Sequence, residues 1–152
     1  KPNSYAEIKE MKEQTRPDPQ MTFDERKNKN LRESVDHLTK QAAKDSVRAI
    51  MLIRAYRIRG HLIANLDPLS IQKKEEHPEL KPESYGFSKS DYNRKIFLDG
   101  VLGLQYADLN QILQILKKTY CSNIGYEFMH MGDPEEKTWI RNRIEGSARK
   151  LC

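Results

Sequence analysis

The sequence predicts a mainly α fold, namely a small helical domain with a long central helix, an irregular proline-containing loop and at most one short strand. Apolar residues repeat with the helical period over residues 47–65 and again over residues 109–120. Asp133 followed by Pro134 is typical of a helix start. Only the segment from Tyr126 to His130 alternates in the way that a strand does.

The central helix is predicted to run from about Leu31 or Leu38 to Ala64. At 100° per residue, residues 47–65 place apolar side chains on two roughly opposite arcs. A helix that is apolar on two arcs is expected to be covered on both sides. The first arc comprises Val47, Met51, Ala55, Ile58 and Leu62, and the second comprises Ala49, Leu52, Ile53, Tyr56, Ile63 and Ala64.

Basic side chains separate the two apolar arcs. Arg54, Arg57 and His61 have the spacing i, i+3 and i+7 and are expected on one edge, whereas Arg59 lies on the other edge. A guanidinium group on an otherwise apolar helix is costly to bury without a carboxylate or carbonyl partner. We therefore expect an internal ion-pair network that docks the helix, with direct binding of a phosphate or an oxo acid as the alternative. The candidate carboxylates are Asp67, Asp99 and Glu127.

Two histidines are interpreted as structural rather than metal-binding. His61 is expected to be a hydrogen-bonded residue of the core or of an interface. His130 lies between Met129 and Met131, whose thioethers favour copper(I), but these side chains would alternate between two strand faces and form a poor ligand cage. Core packing is therefore the expected role of His130.

The remaining elements are predicted from their caps and turns. Prolines and charged residues between Leu69 and Lys89 predict an irregular surface loop that Tyr85 and Phe87 hold in place. The second helix has a capping-box arrangement at its start, and the third is expected to end at a glycine. In the second helix, Asp108 and Gln111 form the capping box, and the apolar face comprises Leu109, Ile112, Leu113, Leu116 and Tyr120. In the third helix, Asp133 is the cap, Gly146 is the stop, and the expected core contacts are Trp139, Ile140 and Ile144.

Composition limits the function classes. The 152 residues are 32% charged, so a thin core is expected. The net charge of +5 arises in residues 1–66, which hold 14 Lys and Arg against 9 Asp and Glu, while residues 67–152 hold 13 of each. Such an excess on a helical segment is more typical of a solvated face, or of a surface that meets an acidic partner, than of a nucleic-acid site.

Cysteine usage and hydropathy favour a reducing compartment and argue against a membrane protein. The cysteines, Cys121 and Cys152, form no CxxC pair, so neither a zinc site nor a disulfide framework is indicated. No apolar run approaches the ~20 residues needed to span a bilayer. Phosphate-binding, zinc-protease and nucleophile-elbow motifs are also missing from the sequence.

Four blocks of sequence carry a resemblance to a known family. They are RAYRIRGHLIANLDPL, HPELKPESYGFSKSDYNRKIFLDGVLGLQYADL, ILKKTYCSNIGYEFMHM and DPEEKTWIRNRIEG. In this order they resemble the N-terminal helical region of the thiamine-diphosphate-dependent first component of the 2-oxoglutarate dehydrogenase complex. The resemblance runs from about Val47 to Gly146 and is closest to the bacterial branch through IFLDGVLGL. We accordingly expect a flexible or partly helical segment over residues 1–30, the helical domain over residues 31–146 and a divergent tail over residues 147–152.

The resemblance implies a non-catalytic role for this region. In the family, the whole component is an oxidoreductase of the tricarboxylic acid cycle that decarboxylates 2-oxoglutarate with thiamine diphosphate and magnesium. The signature that holds the cofactor lies downstream of this region, so no catalytic, cofactor-binding or metal-binding residue is transferred to this chain. The expected role is structural: packing on the remaining domains of the component and on its homodimer mate.

Partners and location follow from the same resemblance. The family passes a succinyl group to dihydrolipoyl succinyltransferase, but its partner-binding segment is expected upstream of Lys1, so this partner is implied for the family rather than for this chain. A bacterial protein would be cytoplasmic and a eukaryotic one would lie in the mitochondrial matrix. The alternative hypothesis is a free-standing basic helical module that binds nucleic acid or an acidic protein.

Overall fold

The computed structural model describes residues 23–69, 71 and 77–149, which are mainly α-helical. Helix α1 spans Phe23–Arg59, α2 spans Leu109–Tyr120 and α3 spans Pro134–Arg149. The predicted mainly α fold is confirmed. Short 3-10 helices at Gly60–Ile63, Pro78–Leu80, Pro82–Tyr85, Lys89–Asp91 and Val101–Gly103 connect these elements within the described residues.

The chain forms two compact units, Lys1–Lys40 and Gln41–Cys152. In the first unit, the described residues belong to α1 and are exposed, with Lys40 donating to Asp36 one turn earlier at 2.7 Å. Helix α1 thus begins at Phe23, upstream of both starts predicted from the sequence. Its α-helical part ends at Arg59, and the predicted last turn to Ala64 is a 3-10 helix instead.

One arc of α1 forms the centre of the core of the second unit. Ala49, Leu52, Ile53 and Tyr56 are buried there, as the sequence predicted for the second arc. They share one hydrophobic core with residues of α2, of the loops and of the segment before α3. These include Leu80, Phe87, Ile96, Leu98, Leu102, Ile112, Leu116, Tyr120 and Phe128.

Most of the other arc of α1 is left uncovered by the described part of the chain. Val47, Met51, Ile58 and Leu62 are exposed, whereas Ala55 is buried. The described residues therefore cover only one of the two arcs that the sequence expects to be covered.

Helix α2 begins as predicted and packs closely against the end of α1. Asp108 Oδ1 accepts a hydrogen bond from Gln111 N at 2.9 Å, and Gln111 Oε1 accepts from Asp108 N at 3.2 Å, which confirms the capping box. At Gly60, a Cβ atom would lie 2.6 Å from Tyr120 Cβ. The close approach of these two elements therefore requires glycine.

The strand predicted from Tyr126 to His130 is wrong. These residues form extended and turn structure without ladder pairing, and the alternation arises because Phe128 enters the core while its neighbours are less buried. The described residues instead contain two two-residue strands, β1 (Ile96–Phe97) and β2 (Tyr106–Ala107), paired antiparallel with Ile96 opposite Ala107. The connection between the strands turns through left-handed residues, including Gly100 at φ 80°.

Helix α3 starts as predicted but neither ends nor packs entirely as predicted. Asp133 Oδ1 accepts a hydrogen bond from Glu135 N at 2.7 Å, which confirms the cap. The helix continues through Gly146 to Arg149, so the predicted stop is wrong. Trp139 is 65% exposed, with Arg143 lying 5.6 Å from its ring centroid, so it is not the core residue expected from the sequence.

The loop that precedes β1 is held in place as the sequence predicted. Tyr85 Oη donates to the carbonyl oxygen of Glu79 at 3.0 Å. Phe87 is buried, and the Arg48 guanidinium lies 6.0 Å from its ring centroid. These contacts fix the loop against α1.

Candidate docking site on helix α1

A buried carboxylate holds Arg57. Arg57 Nε and Nη2 donate to the two oxygens of Glu145 at 2.7 and 3.0 Å, and Tyr120 Oη donates to Glu145 Oε1 at 2.8 Å. The side chains of Arg57 and Glu145 are only 13% and 5% exposed. The three residues come from α1, α2 and α3, so one carboxylate joins all three helices.

The protonation states of this cluster suit its structural role. Burial by itself would lower the pKa of Arg57, but the hydrogen bond and the negative charge of Glu145 outweigh burial and raise that pKa. Burial and the neighbouring Glu145 carboxylate raise the pKa of Tyr120 well above its ordinary value. Arg57 therefore stays charged, and Tyr120 stays a neutral hydrogen-bond donor.

Two further pairs fix the residues that follow Arg57. Arg59 Nε lies 3.2 Å from Glu79 Oε2, with both side chains partly exposed. His61 Nε2 lies 2.8 Å from Glu127 Oε1, which joins the 3-10 helix after α1 to the loop after α2. Glu127, one of the three carboxylates that the sequence suggested, therefore pairs with a basic residue of the predicted edge.

The sequence did not identify Glu145 or Glu79 as the partners of the arginines. Glu145 is separated from Arg57 by 88 residues, and no local pattern fixes which carboxylate of α3 faces α1. Of the suggested carboxylates, Asp67 accepts a hydrogen bond from Leu69 N at 3.0 Å, and Asp99 lines a cleft beside Arg57.

Two other predicted site residues, Arg54 and His130, lie at exposed positions. Arg54 is exposed and has no ion pair within the described residues, although the sequence placed it on one edge with Arg57 and His61. His130 is exposed in a turn, so the expected packing of His130 in the core is wrong. Its neighbours Met129 and Met131 are the side chains that pack against the core.

The open arc of α1 forms an apolar stripe. Its side chains follow one another along the helix, and Arg54 lies among them. Contiguous exposed apolar surface of this kind marks interaction sites in soluble proteins. We define the apolar stripe as Val47, Ile50, Met51, Ile58 and Leu62, whose exposed fractions are 58%, 44%, 53%, 40% and 50%.

The described residues include no group of three or more His, Cys, Asp or Glu side chains that could hold a metal ion. None of the helices in the described ranges is long and apolar enough to cross a membrane. The stripe is therefore the candidate site with the clearest physical basis.

Comparison with known proteins identifies relatives of the chain. Over 113 residues, or 74% of its length, it is 63% identical to the 2-oxoglutarate dehydrogenase E1 components of Brucella anthropi, Brucella ovis and Brucella canis. Over this stretch the chain is a relative of the 2-oxoglutarate dehydrogenase E1 component. The resemblance carried by the four sequence blocks is thus confirmed.

The match concerns a small part of each relative. It falls in the N-terminal region of the E1 component, and the chain spans about a tenth of the length of the curated relatives it matches, 11% in each case. No protein-family model matches the chain.

Proposed function

We propose that this chain is a non-catalytic structural domain of a 2-oxoglutarate dehydrogenase E1 component, packing on the thiamine-binding domains and helping to shape the homodimer. The apolar stripe carries the proposal. It exposes five large apolar side chains along α1 and the 3-10 helix that follows it, whereas Ala49, Leu52, Ile53 and Tyr56 on the opposite arc are buried. Because the matched stretch is only 11% of each relative, the rest of such a polypeptide is large enough to cover the stripe.

The proposal assigns the chemistry of the component to its other domains. These would bind thiamine diphosphate and magnesium, decarboxylate 2-oxoglutarate in the tricarboxylic acid cycle and pass the succinyl group to dihydrolipoyl succinyltransferase. In this proposal, the chain contributes a structural docking surface and no catalytic group. The bidentate pair of Arg57 with Glu145, together with Tyr120, fixes α1 against the other two helices, so the stripe is a preformed docking surface.

The alternative of a free-standing basic module has weaker support. Its basis is the excess of Lys and Arg in residues 1–66. Several of those side chains are engaged inside the chain, because Arg48 lies 3.7 Å from Asp45, Arg57 pairs with Glu145 and Arg59 pairs with Glu79. Paired arginines have less charge to offer to nucleic acid or to an acidic protein.

A chimeric enzyme tests the proposal. The stretch of the Brucella anthropi E1 component that matches this chain is replaced by the sequence of this chain, and 2-oxoglutarate decarboxylation and oligomeric state are measured. We expect the chimera to retain both, because the exchanged stretches are 63% identical over 113 residues. Met51→Asp is then expected to reduce both, because it places a carboxylate in the stripe.

Two controls make the result specific. Gln114→Asp introduces the same side chain at an exposed position of α2, away from the stripe, and is expected to leave activity and assembly unchanged. The isolated chain with Met51→Asp is expected to melt like the unmodified chain, because Met51 is exposed there. An inactive, unassembled parent chimera would contradict the proposal, as would a Met51→Asp chimera indistinguishable from its parent.

A further inference from the structure

The part of α1 that belongs to the second unit runs from Gln41 to Arg59. Among its arginines, Arg54 differs in its ion pairing. Arg48, Arg57 and Arg59 each lie within ion-pair distance of a carboxylate of this chain. Arg54 is exposed and has no such partner in the ranges that the structure describes. The spacing of four, three and four residues from Val47 through Met51 and Arg54 to Ile58 puts Arg54 at the centre of the apolar stripe.

Covering the stripe would therefore desolvate a guanidinium. A buried charge without a partner is strongly unfavourable, whereas a paired and hydrogen-bonded charge is tolerated. Guanidinium groups match carboxylates in bidentate geometry. The surface that covers the stripe must therefore be apolar around its edge and acidic at its centre.

A second copy of this chain does not meet that requirement. The stripe runs from Val47 to Leu62, so its midpoint lies between Arg54 and Ala55. In an antiparallel two-fold pairing centred on the stripe, Arg54 would face Ala55 of the other copy, so the two Arg54 side chains would lie next to each other, and an in-register parallel pairing would place them directly opposite. Two like charges would then meet in a desolvated interface, which is repulsive.

We infer that the apolar stripe docks on another surface of the same longer E1 polypeptide, and that this surface presents an aspartate or glutamate carboxylate to Arg54. This inference rests on the proposed function and adds the chemistry of the partner surface. The large remainder of the relatives' length, beyond the 11% matched here, supplies a candidate surface within the same molecule.

Replacing Arg54 by leucine separates a carboxylate partner from a purely apolar one. Arg54→Leu enlarges the apolar stripe, so a purely apolar partner would bind it at least as well. A partner that carries a carboxylate would instead be left with a buried, unpaired charge. In the chimeric E1 component, we expect Arg54→Leu to lower the temperature of half-inactivation below that of the parent chimera. We expect Arg54→Lys, which keeps the charge, to have a smaller effect.

Matched controls separate docking from folding. Lys117→Leu removes an exposed positive charge from α2, away from the stripe, and is expected to leave the chimera unchanged. In the isolated chain, both leucine variants are expected to melt at the temperature of the unmodified chain, because Arg54 makes no ion pair within its described part. A lower temperature of half-inactivation that is confined to the Arg54→Leu chimera would support the inference.

The outcomes also distinguish this inference from the proposed function. A parent chimera that fails to assemble would overturn both. A stable parent chimera combined with a harmless or stabilising Arg54→Leu substitution would overturn only the carboxylate partner. Dimers of the unmodified isolated chain in sedimentation that Met51→Asp dissociates, together with an unchanged Arg54→Leu chimera, would make a second copy the occupant and would also overturn the inference.

Discussion

Single residues hold the helices of this chain in place through charge pairs of very different burial. Glu145 accepts hydrogen bonds from Arg57 and Tyr120 in a nearly solvent-free site. The pair of Arg59 with Glu79 joins the same helix to a loop, but its side chains are 33% and 50% exposed. Because water screens the second pair, the two should differ sharply in their contribution to stability.

Alanine substitutions measure this difference in the isolated chain. Arg57→Ala leaves the Glu145 carboxylate buried beside Tyr120, and we expect the free energy of unfolding to fall by ~3 to 5 kcal/mol. Arg59→Ala is expected to lower it by about 1 kcal/mol or less. Urea unfolding of both variants provides the comparison. Equal and small losses of unfolding free energy in the two variants would show that the Glu145 cluster does not hold the three helices together.

The chimeric enzyme gives a second readout for Arg57→Ala. A structural residue should change the melting temperature while the KM for 2-oxoglutarate stays nearly constant. A stable Arg57→Ala chimera with a greatly raised KM would instead assign Arg57 to substrate binding.

The sequence indicated that the arginines need partners but did not identify them. The need follows from local chemistry, because a guanidinium on an apolar helix must be paired. The identity of a partner depends on tertiary contacts such as that between Arg57 and Glu145, which local patterns do not encode. His61 was named for its spacing with Arg54 and Arg57, and Glu127 as one of three candidate carboxylates, so both members of this pair were among the candidates without being matched to each other.

Secondary-structure elements were predictable where a side chain caps the backbone. Asp108 and Asp133 start α2 and α3 because their carboxylates accept backbone N–H groups of the first turn. The end of α3 was not predictable from Gly146, because a glycine can also be accommodated inside a helix. The alternation at Tyr126 to His130 failed as a strand signal because a short loop can bury one aromatic residue without any ladder.

Two glycines of these elements should respond to alanine in opposite directions. At Gly60, a Cβ atom would collide with Tyr120 Cβ at 2.6 Å, so we expect Gly60→Ala to lower the free energy of unfolding by about 1 to 3 kcal/mol. At Gly146, within α3, a Cβ atom would have nothing within 4 Å. Gly146→Ala is therefore expected to raise the free energy of unfolding by about 0.5 to 1 kcal/mol.

Thermal unfolding of the two glycine variants checks this pair. A neutral Gly60→Ala variant would mean that α2 can move away from the end of α1 without loss of packing. A destabilised Gly146→Ala variant would mean that the C-terminal turns of α3 are not helical in solution.

For the whole molecule, the sequence predicted a mainly α chain with a central helix that is apolar on two arcs. The four sequence blocks also indicated the relationship to the E1 component, which the 63% identity confirms. The sequence could not show which arc this chain would cover itself, because the two arcs are similarly apolar. The structure resolves this point, with Leu52 and Ile53 in the core and Met51 and Ile58 exposed.

The central claim is that the apolar stripe is open in this chain and covered in the E1 component, and site-resolved thiol labelling tests it most directly. Met51→Cys is introduced into the isolated chain and into the chimera, and its rate of maleimide labelling is followed by peptide mass spectrometry. Gln114→Cys, also exposed and helical, serves as the reference position. We expect labelling at Met51→Cys to be about tenfold slower or more in the chimera than in the isolated chain, with little change at the reference. Equal labelling rates at Met51→Cys in a correctly assembled chimera would show that the stripe remains open and would contradict the claim.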